Sequence, residues 1–342
     1  MTPPTPSAAA PLEVTDENVA KSTTSDAPKV NESRSPGQLA WRRFKRDRTG
    51  VISAFIVIAF FVIALAAPLI SKLYGKDPYT TYGLNTPGLL GDNSYPVKPN
   101  GGIDSEFWFG IEPGLGRDVF TFLLYAIRNS LLIATAITLL VVIIGVVLGV
   151  TAGYVGGKTD WFIGRVIDIL LAFPSQLFFV AFTPVVLAIF VRPDENTPMW
   201  LIVGSLVLLL TVFGWASIAR LLRGQVLALR EREFVEAAKV TGASPARIIF
   251  KELLPNLWTP ILIQATLNLP LMVTTEAGLA FLGVGIKDPT PDWGVMIGRA
   301  AQVYQDDITF LLFPGLAMVI FVLAFNLLGD SVRDALDPKT KR

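Results

Sequence analysis

The 342-residue sequence predicts an all-α polytopic membrane protein with six transmembrane helices. Two observations carry this. Hydrophobic residues make up 52% of the chain and charged residues 17%, against roughly 25% charged in soluble globular domains. Six uncharged stretches also recur, each close to the ~20 residues that cross ~30 Å of hydrocarbon as a helix: Val51 to Ile70, Ser130 to Tyr154, Ile169 to Val191, Trp200 to Ala219, Leu257 to Thr275, and Ile308 to Gly329. They are continuously apolar, whereas barrel strands alternate between lipid-facing and lumen-facing residues.

Two absences narrow the function. The chain has no His and no Cys, which removes Ser-His-Asp and Cys-His catalysis, thiolate and imidazole metal sites, haem ligation and disulfides. A net charge of +1 supplies no global field for nucleic acid. The expectation is a transport subunit, not an enzyme.

In chain order, residues 1–38 are rich in Pro, Ser, Thr and Ala without apolar periodicity, and read as a disordered cytoplasmic tail. They lack the basic-then-apolar pattern of a secretory signal, so the first span is expected to be retained. Residues 39–50, with Trp41-Arg42-Arg43-Phe44-Lys45-Arg46-Asp47-Arg48, read as a basic cytoplasmic interface segment. Residues 51–342 form the six-helix membrane domain. Its external loop, 71–129, is rich in Pro, Gly, Asn and Tyr and reads as an irregular cap. Pro174 and Pro184 in span three, and Asn268 and Pro270 in span five, predict kinks. With the N-terminus inside, 21 of the 29 Lys and Arg residues are cytoplasmic, so both termini are expected inside.

Ala152-Gly153-Tyr154-Val155-Gly156-Gly157-Lys158-Thr159 imitates a phosphate-binding loop. A real one sits between a buried strand and a long helix of a nucleotide domain. Here spans flank it, so it reads as a Gly-rich turn.

The cytoplasmic segment 220–256 is too long and too well punctuated to be a mere connection. Its grammar is helix, turn, helix. Gly242 sits where a first helix needs a left-handed C-terminal residue. Ser244 and Pro245 supply the next N-cap and first helical position, and Pro255 is expected to end that second helix. Ala237 and Ala238 leave a small face for another protein's groove to approach, and Glu236 with neighbouring cations can fix its orientation.

Glu236-Ala237-Ala238, Gly242 and Leu254-Pro255 at this spacing resemble the signature loop of membrane subunits of ATP-binding-cassette importers, although Glu252 stands where that pattern has an apolar residue. Leu115-Gly116-Arg117-Asp118-Val119, Asp168 through Pro174, Glu276 through Gly283, Pro289 through Gly294 and Phe325 through Pro338 resemble the C-type permease of dipeptide and oligopeptide importers. The resemblance implies a type I importer fold in a bacterial cell membrane. It also implies a homologous second permease, two cytoplasmic ATPases that bind the ATP and Mg, an extracytoplasmic solute-binding protein, peptide cargo, and no cofactor in this chain. Nickel or another small solute is the alternative cargo. An ion-coupled secondary transporter using Asp168 and Glu276 is the rival mechanism.

Several residues also have local roles. Asp118 is expected to N-cap a helix leading into span two, and Trp293 with Pro289 and Pro291 to form an interfacial turn. Asp168 reads as structural, reaching water or Arg165. Glu276 is the candidate pathway or gate residue, because intramembrane acids are expensive to place.

Overall fold

The computed structural model describes residues 36–191 and 197–336. All but the last three residues of the expected disordered tail lie outside that range, and those three begin a helix. That helix, α1 (Pro36–Arg46), is separated by Asp47 alone from α2 (Arg48–Tyr74). The elbow is local: the Asp47 carboxylate accepts from the Thr49 N–H at 3.1 Å and caps α2. α2 turns its small residues Gly50, Ser53, Ala64 and Ala67 inward and leaves Ile52, Phe55, Ile58, Val62 and Leu65 exposed. That is the division between protein and lipid expected of an outer membrane helix.

The connection after α2 holds two single turns, α3 (Tyr82–Asn85) and α4 (Pro99–Gly102), and isolated β-bridges such as Thr81 to Arg117. It is shorter than the 71–129 expected, because α5 (Val119–Val155) starts 11 residues before Ser130. Tyr125, Arg128 and Asn129 had broken the hydropathy run without breaking the helix. At ~1.5 Å per residue its 37 residues extend well beyond a ~30 Å bilayer core.

α6 (Gly157–Ala172) and α7 (Ser175–Phe190) divide what reads in sequence as one kinked span. They meet at 90° across Phe173 and Pro174. Proline holds its predecessor out of the α region, and Phe173 is extended. Among the described residues the count is therefore five continuous helices long and apolar enough to span a membrane, or six with the bent pair as one. α8 (Met199–Leu229) packs against α5 along most of its length.

The helical loop follows as α9 (Glu233–Val240), α10 (Pro245–Arg247) and a π-turn (Ile248–Leu253) that runs into α11 (Leu254–Phe281). α12 (Trp293–Val303) and α13 (Thr309–Leu336) complete the described residues. α5 is the hub: α2, α8 and α11 all pack on it, and α13 closes the bundle against α2 and α11. The main core runs continuously from Val57 through Ile137, Leu222 and Leu257 to Phe321.

Candidate coupling loop and buried acidic centre

The loop stands on an apolar base. Val235, Ile248, Leu253 and Leu257 are buried and join the main core. The first helix ends as its sequence demands. Gly242 has φ +79°, the Gly242 N–H bonds the Lys239 carbonyl and the Ala243 N–H bonds the Ala238 carbonyl at 3.0 Å, a Schellman closure. The Thr241 hydroxyl donates to the Ala237 and Ala238 carbonyls. Ser244 accepts from the Arg247 N–H at 3.3 Å and opens the next helix.

Two expectations fail here. Pro255 does not end the second helix but lies in the first turn of α11. The helix absorbs it by widening to the π-turn before it, with the Leu254 N–H bonded to the Ile249 carbonyl, and Asn256 donates its side-chain amide to the Glu252 carbonyl at 2.7 Å. Nor do Ala237 and Ala238 form one outward face. Ala237 is exposed, while Ala238 is half-buried against the core. The outward apolar surface is Ala237 with Val240, 86% exposed, and Phe250, 69% exposed. Glu236 is paired with Lys239 at 2.7 Å on the exposed side. Leu254 is half-buried and Pro255 exposed.

Below the loop, the Gly-rich 152–159 segment is the turn between α5 and α6, with Gly156 and Gly157 both at positive φ. The Arg230 guanidinium donates to the Gly153 carbonyl at 3.1 Å, Arg223 makes a two-pronged ion pair with Asp160, and Arg220 meets Asp168 at 2.6 Å. Asp168 therefore pairs across to α8 rather than with Arg165, whose guanidinium lies over the Trp161 ring.

At the other end of α11, Glu276 is fully buried beside Asp292 and Ser130. Asp292 is the N-cap of α12. Its carboxylate accepts from the Gly294 and Val295 N–H groups at 2.9 and 3.0 Å and from the Ser130 hydroxyl at 2.9 Å. A Cβ on Gly294 would collide with the Ala277 carbonyl, so α12 crosses α11 in backbone contact. Trp293 is fully buried, its indole N–H bonded to the Pro314 carbonyl at 2.9 Å. It plugs the core instead of lying at an interface. The sequence reading had Trp293 and the flanking prolines but not the N-cap that turns them into a buried helix start.

Sequence reasoning also missed a charge network in which Arg117 meets Glu112 at 2.6 Å and Asp288 at 2.8 Å, while Arg299 meets the same two acids at 2.8 and 2.9 Å. It ties the α2–α5 connection to the α11–α12 connection. Asp118 does cap α5 as expected, accepting from the Thr121 N–H at 2.7 Å. Nearby, the hydrogen bond from Lys98 lowers the Asp104 carboxyl below its ordinary range.

Residues 145–342 match the family described as binding-protein-dependent transport system inner membrane component, and residues 35–90 match the N-terminal TM domain of oligopeptide transport permease C. A dipeptide transport system permease protein of Alkalihalophilus pseudofirmus is 36% identical over 90% of this chain and 91% of its own length. An oligopeptide transport system permease protein of Bacillus subtilis is 33% identical over 93% of this chain and 94% of its own. A glutathione transport system permease protein of Shigella flexneri is 36% identical over 92% and 94%. Among solved structures, a chain of the MetNI methionine ABC transporter in inward-facing conformations superposes with a TM-score of 0.51 at 20% identity, over 63% of this chain and 96% of that one. The helical bundle, the loop between α8 and α11 and these matches together establish that the chain belongs to the family of binding-protein-dependent transport system inner membrane components.

Proposed function

We propose that this chain is one half of the membrane path of an ATP-driven peptide importer, and that ATPase subunits act on it through the loop from Glu236 to Pro255. The observation that carries this is the exposed apolar surface shared by the end of α9 and the π-turn. Val240 and Phe250 present apolar side chains at the loop, although the same loop has a well-formed core for burying such groups. Exposed apolar residues on a short helical loop are what a partner's groove would cover. Two ATPases supply ATP and Mg, a homologous permease completes the channel, and an extracytoplasmic binding protein delivers peptide. The relatives named for dipeptides, oligopeptides and glutathione support that cargo. Nucleotide states that bind the two channel conformations unequally drive the cycle.

Within the membrane, the α6–α7 break opens a cavity of about 290 Å³ lined by Gln176, Phe179, Phe213, Ser217, Asn268 and Thr275. Amides and hydroxyls for a peptide backbone, beside aromatic rings for its side chains, suit the proposed path. Glu276 follows Thr275 and joins α11 to the α12 cap, and we assign it the gate. No cofactor is assigned to this chain.

The test uses the full transporter in membranes. Val240→Glu places a charge in the proposed groove. Gly242→Val opposes the left-handed turn by roughly 1 to 2 kcal/mol. Both should insert at normal levels and lose most peptide uptake, with weaker ATPase co-purification or with ATP hydrolysis uncoupled from uptake. Unchanged uptake with normally bound ATPases in both variants defeats the assignment.

A further inference from the structure

A cleft of about 550 Å³ opens between α1 and the C-terminal end of α13, with Arg42, Arg43, Arg46 and Arg48 along one wall and Ser331 and Asp334 along the other. Arg42, Arg46 and Arg48 make no ion pair among the described residues. Asp47, the second acid at the cleft, is engaged as the cap of α2. Leaving Arg43 aside, three guanidiniums without an ion pair among the described residues still face the single uncommitted carboxylate of Asp334, an excess of positive charge that calls for an anion.

The position of the cleft says which anion. Asp47 alone separates α1 from the first membrane span, so the cleft lies at the boundary between hydrocarbon and water. Trp41 stacks on Phe44 at 6.0 Å and is 59% exposed, beside the exposed Leu39. Aromatic and aliphatic groups of this kind settle a basic helix into the headgroup layer. On the same two helices, α2 exposes Ile52 and Phe55 and α13 exposes Leu323 and Leu327, apolar surface that suits acyl chains. Guanidiniums recognise phosphate oxygens in pairs, and Asp334 can accept from a headgroup hydroxyl.

We propose that this cleft is a binding site for an anionic phospholipid of the phosphatidylglycerol type, its phosphate held by Arg42, Arg46 and Arg48 and its acyl chains laid along α2 and α13. With both termini inside, as the cation distribution predicts, the lipid belongs to the cytoplasmic leaflet.

Native mass spectrometry of the full-length chain in detergent, titrated with phosphatidylglycerol or phosphatidylcholine, tests this. The wild type should retain phosphatidylglycerol preferentially. Arg42→Gln/Arg46→Gln/Arg48→Gln should reduce that preference roughly tenfold or more, whereas Lys72→Gln at the other end of α2 should leave it intact. Size-exclusion profiles matching the wild type confirm that the triple variant is folded, and the single variant Arg46→Gln, expected to show a smaller loss, serves if it is not. Equal retention of both lipids, or equal loss in the Lys72 variant, overturns the site. So does full displacement by millimolar inorganic phosphate, which would make it a soluble-anion site. Binding that appears only after residues 1–35 are removed would make the chain's own tail the occupant and also overturn it.

Discussion

Arg117 is almost entirely enclosed, yet its guanidinium meets two carboxylates that also share Arg299. The four charges cancel, which is the condition for burying any of them cheaply. Arg117→Met should cost about 3 kcal/mol by leaving the buried Glu112 undercompensated, read as a lower melting temperature of the detergent-purified chain. The added substitution Glu112→Gln should recover part of that loss. An unchanged melting temperature for the single variant would mean that the network does not hold the two connections together. Single residues were the least legible scale in the sequence. Arg117 and Asp288 are 171 positions apart, and no local pattern announces their pairing. Local motifs fared differently: Gly242, Ser244 and Asp118 do what their neighbours in sequence require, because turn and cap chemistry is decided within four residues.

Among the elements, α5 and α8 share the most extensive interface. Cβ atoms built on Gly145, Gly149 and Gly153 would lie 2.8 Å from the Ile218 Cβ, 2.7 Å from the Ala219 carbonyl oxygen and 2.7 Å from the Val226 Cβ. The spacing of four puts all three on one face, as in membrane helix pairs that rely on backbone contact. Gly149→Leu should therefore destabilise the bundle by about 1 to 3 kcal/mol, measured by thermal unfolding in detergent. Gly164→Ala on α6, where a Cβ meets nothing within 4 Å, should be neutral or slightly stabilising. Equal effects of the two would refute the close-packing account. The stripe was visible in the sequence but lay inside a run read only for hydropathy. Helix ends were misjudged for a related reason. Charged or polar residues stop an apolar run, whereas a helix stops only where its backbone geometry does, so α5 begins at Val119 and α11 continues through Pro255.

At the scale of the whole molecule, the membrane count was legible because lipid imposes length and apolarity on every span. The 90° break between α6 and α7 was legible only as a kink, since its angle depends on what packs around Pro174. The sidedness predicted from cation placement is directly measurable, because the sequence has no native Cys. Single cysteines replacing Asp92 and Ala246, both exposed, should differ on intact cells. An impermeant maleimide should label position 92 and spare position 246 until the membrane is opened. Labelling of 246 alone would invert the topology and move the α1 cleft to the outer leaflet.

The π-turn has a mechanical consequence. Because it carries the chain past Pro255 without a break, Pro245–Phe281 is one continuous helix of 37 residues, with Pro260 and Pro270 inside it and a contour of about 55 Å; the kink expected at Pro270 does not interrupt the helix. Its foot is the exposed loop, and its far end bears Glu276 and the carbonyl of Ala277 against Gly294. A rod of that length tilted by about 10° at its foot displaces its tip by roughly 10 Å. If the loop is the point where the ATPases act, leverage of that size turns a small push at the foot into a larger excursion at the α12 cap.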